Sequence, residues 1–346
     1  MNNLKYSLNR RLVLNAVFFL SFPVKLFSNN FLKNEKKIKI IFGSCSNQNN
    51  NMDHWRYIAS HNPNYIFLLG DNVYGDFFDE KAQELKAAYK KLNQNVYFKY
   101  LRENVTIFPI WDDHDYGKND GGKSWIYKKI SKNIFLNFFN VPHTDIRRSR
   151  KGIYKSYKIK LSDKVIKVIS LDTRYFKDDF KYNTNISIKK KYVSNKDPKK
   201  TILGKDQWNW FLKEIKSDFD LLIIQSSYQV LSEAHGWEKW GNFPSERKKL
   251  LDNLSLLSKP ILIVSGDRHF GGIYKSYDKN IIEVTASSFN QKVFKYNEED
   301  KLRTSRLIGQ NNFGVIEINK KGIRVKLLYG TKTNNVVFAK TNLNFA

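Results

Sequence analysis

The sequence predicts an α/β protein in which two β-sheets pack together. From residue 38 onward, short apolar runs alternate with helical patterns, which is typical of α/β architectures. Most of these runs end in polar residues, as expected where strands deliver side chains to one catalytic edge of a sheet. Past residue 280 the pattern becomes all-β, with predicted strands at 281–285, 314–318 and 323–329 and a hairpin turn at 319–322.

Six apolar runs are the predicted core strands, at residues 38–42, 65–69, 106–111, 165–171, 221–224 and 261–264. Helical spacing of apolar residues predicts helices at 53–60, 79–92, 123–139, 207–215 and 245–257. Residues 177–205 are polar, lysine-rich and aperiodic, so we expect a mobile surface insertion that could overhang the active edge. The sequence shows no internal repeat and no interdomain linker, which predicts a single domain over residues 31–346.

The composition is that of a folded and strongly basic protein. Its 346 residues are 41% hydrophobic and 15% aromatic, which allows a sizeable core and excludes a disordered chain. A formal net charge of +27 would attract phosphate esters, nucleic acids or anionic membranes. Because the lysines are scattered along the chain, biased codon usage explains the charge equally well.

Residues 1–30 are predicted to be a signal peptide or an N-terminal anchor. Lys5, Arg10 and Arg11 precede an apolar stretch at 12–24, which is too short to span a bilayer comfortably. Residues 9–14 partly resemble a twin-arginine signal, which directs export of proteins that fold before crossing the membrane. We therefore expect a periplasmic or extracellular protein that meets the export machinery transiently, or a membrane-anchored form if no cleavage occurs.

Four polar clusters that follow predicted strands contain residue types that bind metals, at 43–45, 70–74, 111–115 and 265–269. Cys45 is the only cysteine, which rules out an internal disulfide. Alone it would most often be a small buried hydrophobe, but its position beside the other clusters favours a ligand. Asp71 and Tyr74 share one glycine-flanked turn, so both side chains can face one ion. Asp267 and His269 are alternate residues after another strand, which aims both to one side.

Asp112, Asp113 and Asp115 surround His114 in the sequence. Burial of three carboxylates requires a compensating positive charge, which could be a metal ion or a structural ion pair with Arg174 or Lys118. The clusters together hold more ligands than one ion needs, which favours a two-metal site. Thiolate and phenolate suit iron or zinc, whereas carboxylates suit calcium, magnesium or manganese.

Taken in order with residues 171–174 and 203–208, the four clusters resemble the PhoD-like alkaline phosphatase/phosphodiesterase family from about residue 38 to 290. The resemblance implies two packed mixed β-sheets flanked by helices, the four-layer αββα sandwich of the calcineurin-like metallophosphoesterase superfamily. It also implies hydrolysis of phosphoesters by attack of a metal-bound hydroxide at phosphorus. Long family members carry an N-terminal β-domain and a C-terminal helix that we do not expect here, so we expect a more open site.

The resemblance further implies roles for individual residues. A ferric ion would lie on the thiolate, phenolate and imidazole, and a second ion, Ca²⁺ in the first instance, on the carboxylates, with Zn²⁺, Mn²⁺ or Mg²⁺ as alternatives. Asp71 would bridge the two ions, and His114 would stabilise or protonate the leaving oxygen. The predicted metal ligands are Cys45, Asp71, Tyr74, Asp113, Asp267 and His269. The predicted catalytic residues are Asp113, His114, Arg174 and Arg268. By their charge and position, the two arginines are either phosphate contacts or braces for neighbouring loops.

The sequence therefore predicts an exported, metal-dependent phosphatase or phosphodiesterase. We expect a monomer that acts on small or polymeric phosphoesters and forms no stable nucleic-acid complex. The alternative, motivated by the charge, is a protein that binds nucleic acid or another polyanion and has a structural or degenerate metal site.

Overall fold

Two large β-sheets face each other at the centre of the computed structural model, which describes residues 31–185, 190–278, 280–293, 298–330 and 335–345. The predicted targeting segment, residues 1–30, lies outside the described residues. The strands are β1 (Phe31–Glu35), β2 (Lys37–Gly43), β3 (Tyr65–Leu69), β4 (Thr106–Ile110), β5 (Lys155–Leu161), β6 (Lys164–Ser170), β7 (Lys181–Tyr182), β8 (Tyr192–Val193), β9 (Leu221–Ser226), β10 (Ile261–Ser265), β11 (Gly271–Lys275), β12 (Ile281–Ala286), β13 (Asn312–Asn319), β14 (Gly322–Gly330) and β15 (Asn335–Leu343).

Both large sheets are mixed, as predicted. One has seven strands in the order β1-β5-β6-β9-β10-β12-β11, and the other has six in the order β15-β14-β13-β2-β3-β4. The neighbours β6, β9, β10 and β12 run parallel in the first sheet, and β2, β3 and β4 run parallel in the second. Parallel strands end at the same edge, so each sheet brings several strand ends together.

The helices cover the outer faces of the two sheets. They are α1 (His54–Ser60), α2 (Gln83–Asn93), α3 (Val96–Asn104), α4 (Asp113–Tyr116), α5 (Lys128–Phe138), α6 (Gly204–Glu214) and α7 (Pro244–Ser255). Among the described residues, no helix combines the length and apolar character needed to cross a membrane.

Three apolar cores separate four layers. Alternate residues of a strand face opposite sides of its sheet, so Phe42 lies in the core between the sheets while Ile41 lies against the helices. The third core lies between the first sheet and the last two helices, where Ile224 packs with Phe211 and Leu250. This αββα order confirms the predicted fold class.

All six predicted core strands and all three predicted C-terminal strands are present, with Asn319 paired to Gly322 at the hairpin turn. Two predicted helix starts were too early. Helix α2 begins at Gln83 because the Asp79 carboxylate accepts the backbone N–H of Lys81 in a preceding turn. Helix α5 begins at Lys128, since the Lys123 N–H pairs with a carbonyl outside the helix. Helix α3 went unpredicted, although Asn95 caps it by accepting two backbone N–H groups.

Most of the described residues between 179 and 200 are exposed, as predicted for a surface insertion, but the 177–205 segment also makes fixed contacts with the rest of the fold. Lys177 and Asp178 are buried, and β7 pairs with β8 in a small hairpin. Tyr192 of this hairpin is buried and donates to Asp120, 2.5 Å away, while its backbone N–H donates to the Gly236 carbonyl. The segment therefore packs onto the catalytic edge through specific contacts, which a polar composition does not reveal.

Candidate metal centre

The candidate site lies where the ends of strands from both sheets meet. Cys45 follows β2, Asp71 follows β3, Asp113 follows β4, and Asp267 follows β10. An isolated parallel bridge between Ser44 and Ser287 joins the two sheets at this edge. A cavity of about 230 Å³ opens here, lined by Asp71, Asp113, His114, Asn119, Asp120, Lys191, Trp237, Glu238, Asp267, Arg268 and His269. We call it the metal cavity.

The first group of ligands contains soft donors. The ligand atoms of Cys45, Asp71 and His269 all lie within 4.8 Å of one another, and the Cys45 Sγ is 3.7 Å from an Asp71 carboxylate oxygen. The Tyr74 hydroxyl is 3.3 Å from Nε2 of His269. The structure thus brings together the residues predicted to hold the ferric ion.

The second group consists of harder donors and shares Asp71 with the first. Asp71, Asp113 and His114 place one ligand atom each within 4.8 Å of the others, and so do Asp113, Asp120 and Glu238. Asp71 therefore lies between the two groups, in the position expected of a bridging ligand. Asp267 lines the same cavity but belongs to none of the three ligand clusters found among the described residues.

Four of the predicted ligands have backbones in the left-handed region. The φ angles are 59° at Cys45, 47° at Asp71, 67° at Asp267 and 53° at His269. L-residues avoid this region at a cost of order 1–3 kcal/mol each, and such residues cluster at functional sites. The surrounding fold therefore holds these backbones in an unfavourable conformation, which sets the directions of the four side chains.

The electrostatics of the site call for cations. Burial and the nearby Asp71 raise the pKa of the Cys45 thiol well above its ordinary value. Burial and Asp113 raise the pKa of Asp71, and burial with the charges of Glu238 and Asp112 raises that of Asp267. Burial lowers the pKa of His269 to about 4, so its imidazole is neutral and can act as a ligand at neutral pH. The donor set fits metal ions, because bound cations would relieve the repulsion among these groups.

His114 carries its own orienting carboxylate. Its Nδ1 lies 2.5 Å from an Asp76 oxygen, at the rim of the site. Burial would lower the pKa of His114, but Asp113, Asp71 and Asp76 outweigh it and raise the pKa to about 11. Because Nδ1 faces Asp76, Nε2 is the nitrogen available to substrate.

The three carboxylates around His114 have three different surroundings. Asp113 lies in the metal clusters. Asp112 is bonded to the Arg174 guanidinium, with 2.5 Å between Nε and the carboxylate oxygen. Asp115 accepts the backbone N–H groups of Asp71 and Asp112, at 3.2 and 2.6 Å, and so positions the turn that carries the bridging residue. The cluster thus contains both predicted sources of compensating charge. Asp113 lies among candidate metal ligands, and Asp112 pairs with Arg174.

The two predicted phosphate-binding arginines lie in different settings. Arg174 is completely buried and makes two 2.7 Å hydrogen bonds to Glu238 besides its bond to Asp112. It is absent from the lining of the metal cavity, where it would have to lie to touch substrate in this conformation. Arg268 does line that cavity, and its guanidinium bonds Glu298 at 2.8 Å. Geometry therefore supports a substrate contact for Arg268 better than for Arg174.

Three site residues escaped sequence reasoning. Asp76 and Asp120 lie close in the chain to predicted clusters. Asp76, two positions after Tyr74, could have been recognised from the sequence as a candidate site residue. Glu238 follows no strand and has no motif around it. Only the folded chain shows that it joins Asp113 and Asp120.

Paired sheets whose strand ends gather a thiol, a phenol, imidazoles and carboxylates are suited to a metal-dependent enzyme. Residues 40–329 match the sequence profile of the PhoD-like phosphatases. The chain belongs to the PhoD-like phosphatase family and is a phosphoester hydrolase. No curated protein sequence matches it.

Solved structures share the fold at low sequence identity. The structure of PhoD superposes with a TM-score of 0.68 at 12% identity, covering 91% of this chain and 73% of PhoD. A purple acid phosphatase from yellow lupin (Lupinus luteus) seeds gives a TM-score of 0.61 at 9% identity, and the match covers 90% of this chain and 54% of the lupin enzyme. GAP50, the anchor in the inner membrane complex of Plasmodium, gives 0.60 at 14% identity, covering 90% of each chain. These likenesses confirm the fold predicted from the sequence.

Proposed function

We propose that this chain is an exported phosphatase or phosphodiesterase that uses a ferric ion and a calcium ion to hydrolyse phosphomonoesters or phosphodiesters. The observation that carries the proposal is the position of Asp71, which belongs both to the soft-donor cluster and to the cluster with Asp113 and His114. Family membership supports the phosphoesterase over the polyanion-binding alternative.

Donor chemistry supports the choice of metals. Cys45, Tyr74 and His269 offer thiolate, phenolate and imidazole, which favour iron, with zinc as the alternative. Asp113, Asp120 and Glu238 offer only carboxylate oxygens, which suit calcium, with manganese or magnesium as alternatives. When bound, the ions would supply a water of lowered pKa and withdraw charge from the phosphoryl oxygens.

The residues of the chain provide the remaining chemistry. His114, oriented by Asp76, would donate a proton from Nε2 to the oxygen that leaves phosphorus. Arg268 would bind a phosphoryl oxygen, because a guanidinium matches the geometry of phosphate. The residues Lys191 and Trp237 also line the metal cavity, where they can contact the leaving group.

One experiment tests metal content and reaction class together. Metal analysis of the purified protein would accompany hydrolysis of 4-nitrophenyl phosphate and bis(4-nitrophenyl) phosphate, before and after chelation. We expect bound iron, activity on at least one ester, and its loss on chelation. Asp71→Asn should abolish activity, whereas the control Asp163→Asn, at an exposed turn, should not change it. Folded, metal-loaded protein that hydrolyses neither ester would refute the proposal.

The proposal of export needs a separate test. We expect the full-length chain in the periplasmic or extracellular fraction, or on the membrane if residues 1–30 stay attached. Replacing both Arg10 and Arg11 with lysine should retain the protein in the cytoplasm if it follows the twin-arginine route. Unchanged export of that variant would exclude the route, and a cytoplasmic wild-type protein would exclude export.

A further inference from the structure

A second cavity, larger than the metal cavity, adjoins it. It has a volume of about 610 Å³, which is within the range of small-molecule sites. Its charged lining residues are Lys190, Glu233, Lys239, Arg247, Lys248 and Asp252, and Tyr192 and His235 also line it. We call it the basic cavity.

The two cavities share their dividing walls. Lys190 lines the basic cavity, and its chain neighbour Lys191 lines the metal cavity. On the opposite wall, His235 lines the basic cavity, whereas Trp237 and Glu238 line the metal cavity. The backbone hydrogen bond from Tyr192 to Gly236, 2.8 Å long, holds the two walls together. The cavities are therefore close neighbours with a thin wall between them, and a ligand that occupied both would have to pass over this wall.

The positive charge of the basic cavity is only partly balanced. Arg247 pairs with Glu233 at 3.2 Å, and Lys248 pairs with Asp252 at 2.6 Å. Lys190 and Lys239 form no ion pair with the described residues. Lys239 is buried, and in the described part of the chain its ammonium donates only to the backbone carbonyl of His235. Glu298 and Asp300 act on this ammonium only from beyond ion-pair distance, so an anion in the cavity would stabilise it further.

His235 adds an unused hydrogen-bond donor. The backbone N–H of Trp237 donates to its Nδ1 over 3.2 Å, so a neutral imidazole carries its proton on Nε2. Burial, with the charges of Arg268 and Lys239, lowers the pKa of His235 and keeps the ring neutral. Its Nε2 is buried and finds no acceptor among the described residues. An anionic oxygen that reached this nitrogen from the cavity that His235 lines would supply the missing acceptor.

We propose that the basic cavity binds a second phosphate of a substrate whose scissile phosphoester lies in the metal cavity. The preferred substrate is then a phosphodiester chain with repeated phosphates rather than an isolated ester. This inference rests on the proposed phosphoesterase function and narrows its substrate class.

Matched substrates can isolate the contribution of the second phosphate's charge to substrate binding. Hydrolysis of a thymidine trinucleotide would be compared with that of trinucleotides in which one or the other linkage is a neutral methylphosphonate. The KM of the wild-type enzyme should be about tenfold lower for the natural trinucleotide than for either methylphosphonate trinucleotide, which corresponds to about 1.4 kcal/mol of binding. The double variant Lys190→Met with Lys239→Met should lose most of that difference while retaining activity on bis(4-nitrophenyl) phosphate.

Two controls separate charge recognition from damage to the fold. Lys190→Met alone changes an exposed residue and should reduce the difference about threefold, whereas Lys216→Met, at an exposed position after α6, should leave it intact. Equal effects on natural and methylphosphonate substrates, or no effect of the double variant, would overturn the inference. If wild-type enzyme fails on all substrates, the proposed function falls instead. Equilibrium binding of the same trinucleotides to metal-free protein would then show separately whether the basic cavity binds a second phosphate.

Discussion

Replacement of Arg174 by methionine tests whether this arginine holds the fold or the substrate. The guanidinium is fully buried, bonds Asp112 at 2.5 Å and makes two 2.7 Å bonds to Glu238. Each charge-assisted hydrogen bond contributes about 1.5–3 kcal/mol, but water entry and protonation of the carboxylates would recover part of that loss. Removing one partner of a buried ion pair costs about 3–5 kcal/mol, and we expect a loss of that size.

The assay is urea unfolding of metal-free protein, followed by circular dichroism, with KM measured separately at saturating metal. Arg174→Met should lower the free energy of unfolding by about 3–5 kcal/mol and change KM less than twofold. Adding Asp112→Asn and Glu238→Gln should restore much of the stability, because no buried charge would then lack a partner.

Arg268→Met is the matched control, since that side chain lines the metal cavity. It should raise KM about tenfold or more, in line with a lost charge-assisted contact, and cost less stability. If Arg174→Met instead leaves unfolding unchanged and raises KM, a structural role is refuted, and Arg174 binds phosphate, the other role that the sequence left open.

Three other properties can be predicted. Asp76→Asn should lower kcat about 10–100-fold and move the alkaline limb of the kcat profile to lower pH, because the carboxylate that favours protonated His114 is lost; an unchanged profile would contradict this role. Cys45→Ser should reduce bound iron at least about tenfold, measured by metal analysis and by loss of visible absorption, and full iron content would exclude thiolate ligation. Burial alone would raise the pKa of Asp145, but hydrogen bonds and charge from Arg147 hold it below the ordinary value of 3.8. The resulting stability is present above pH 3.8 and is lost as pH falls through the folded-state pKa, so Asp145→Asn should cost about 1–3 kcal/mol at pH 7 and flatten this acid dependence in unfolding titrations.

Local sequence patterns were sufficient for the strands and for the cluster of candidate ligands. An apolar run such as 65–69 is buried on both faces, so it can be recognised without knowing its neighbours. The polar residues directly after it must then lie at a sheet edge. Asp71 and Cys45 therefore entered the candidate site on sequence grounds, and their ligand atoms do come together.

Helix starts and loops were less predictable, because their boundaries depend on partners far along the chain. Lys123 has a helix-compatible pattern around it, yet its N–H pairs with the carbonyl of Lys177. The segment at 177–205 has the composition of a free loop, but Tyr192 packs against the catalytic edge through Asp120. Neither contact has a local signal.

By itself, the sequence determined the fold class, the order of the strands along the chain and the chemical types of the ligands. The tertiary structure alone decided that Glu238 joins the carboxylate cluster, that Arg174 is buried between Asp112 and Glu238, and that a basic cavity shares its walls with the metal cavity. The physical reason is the separation along the chain of the residues that interact. Burial and turn geometry act between near neighbours, whereas ion pairing and cavity shape depend on residues that only folding brings together.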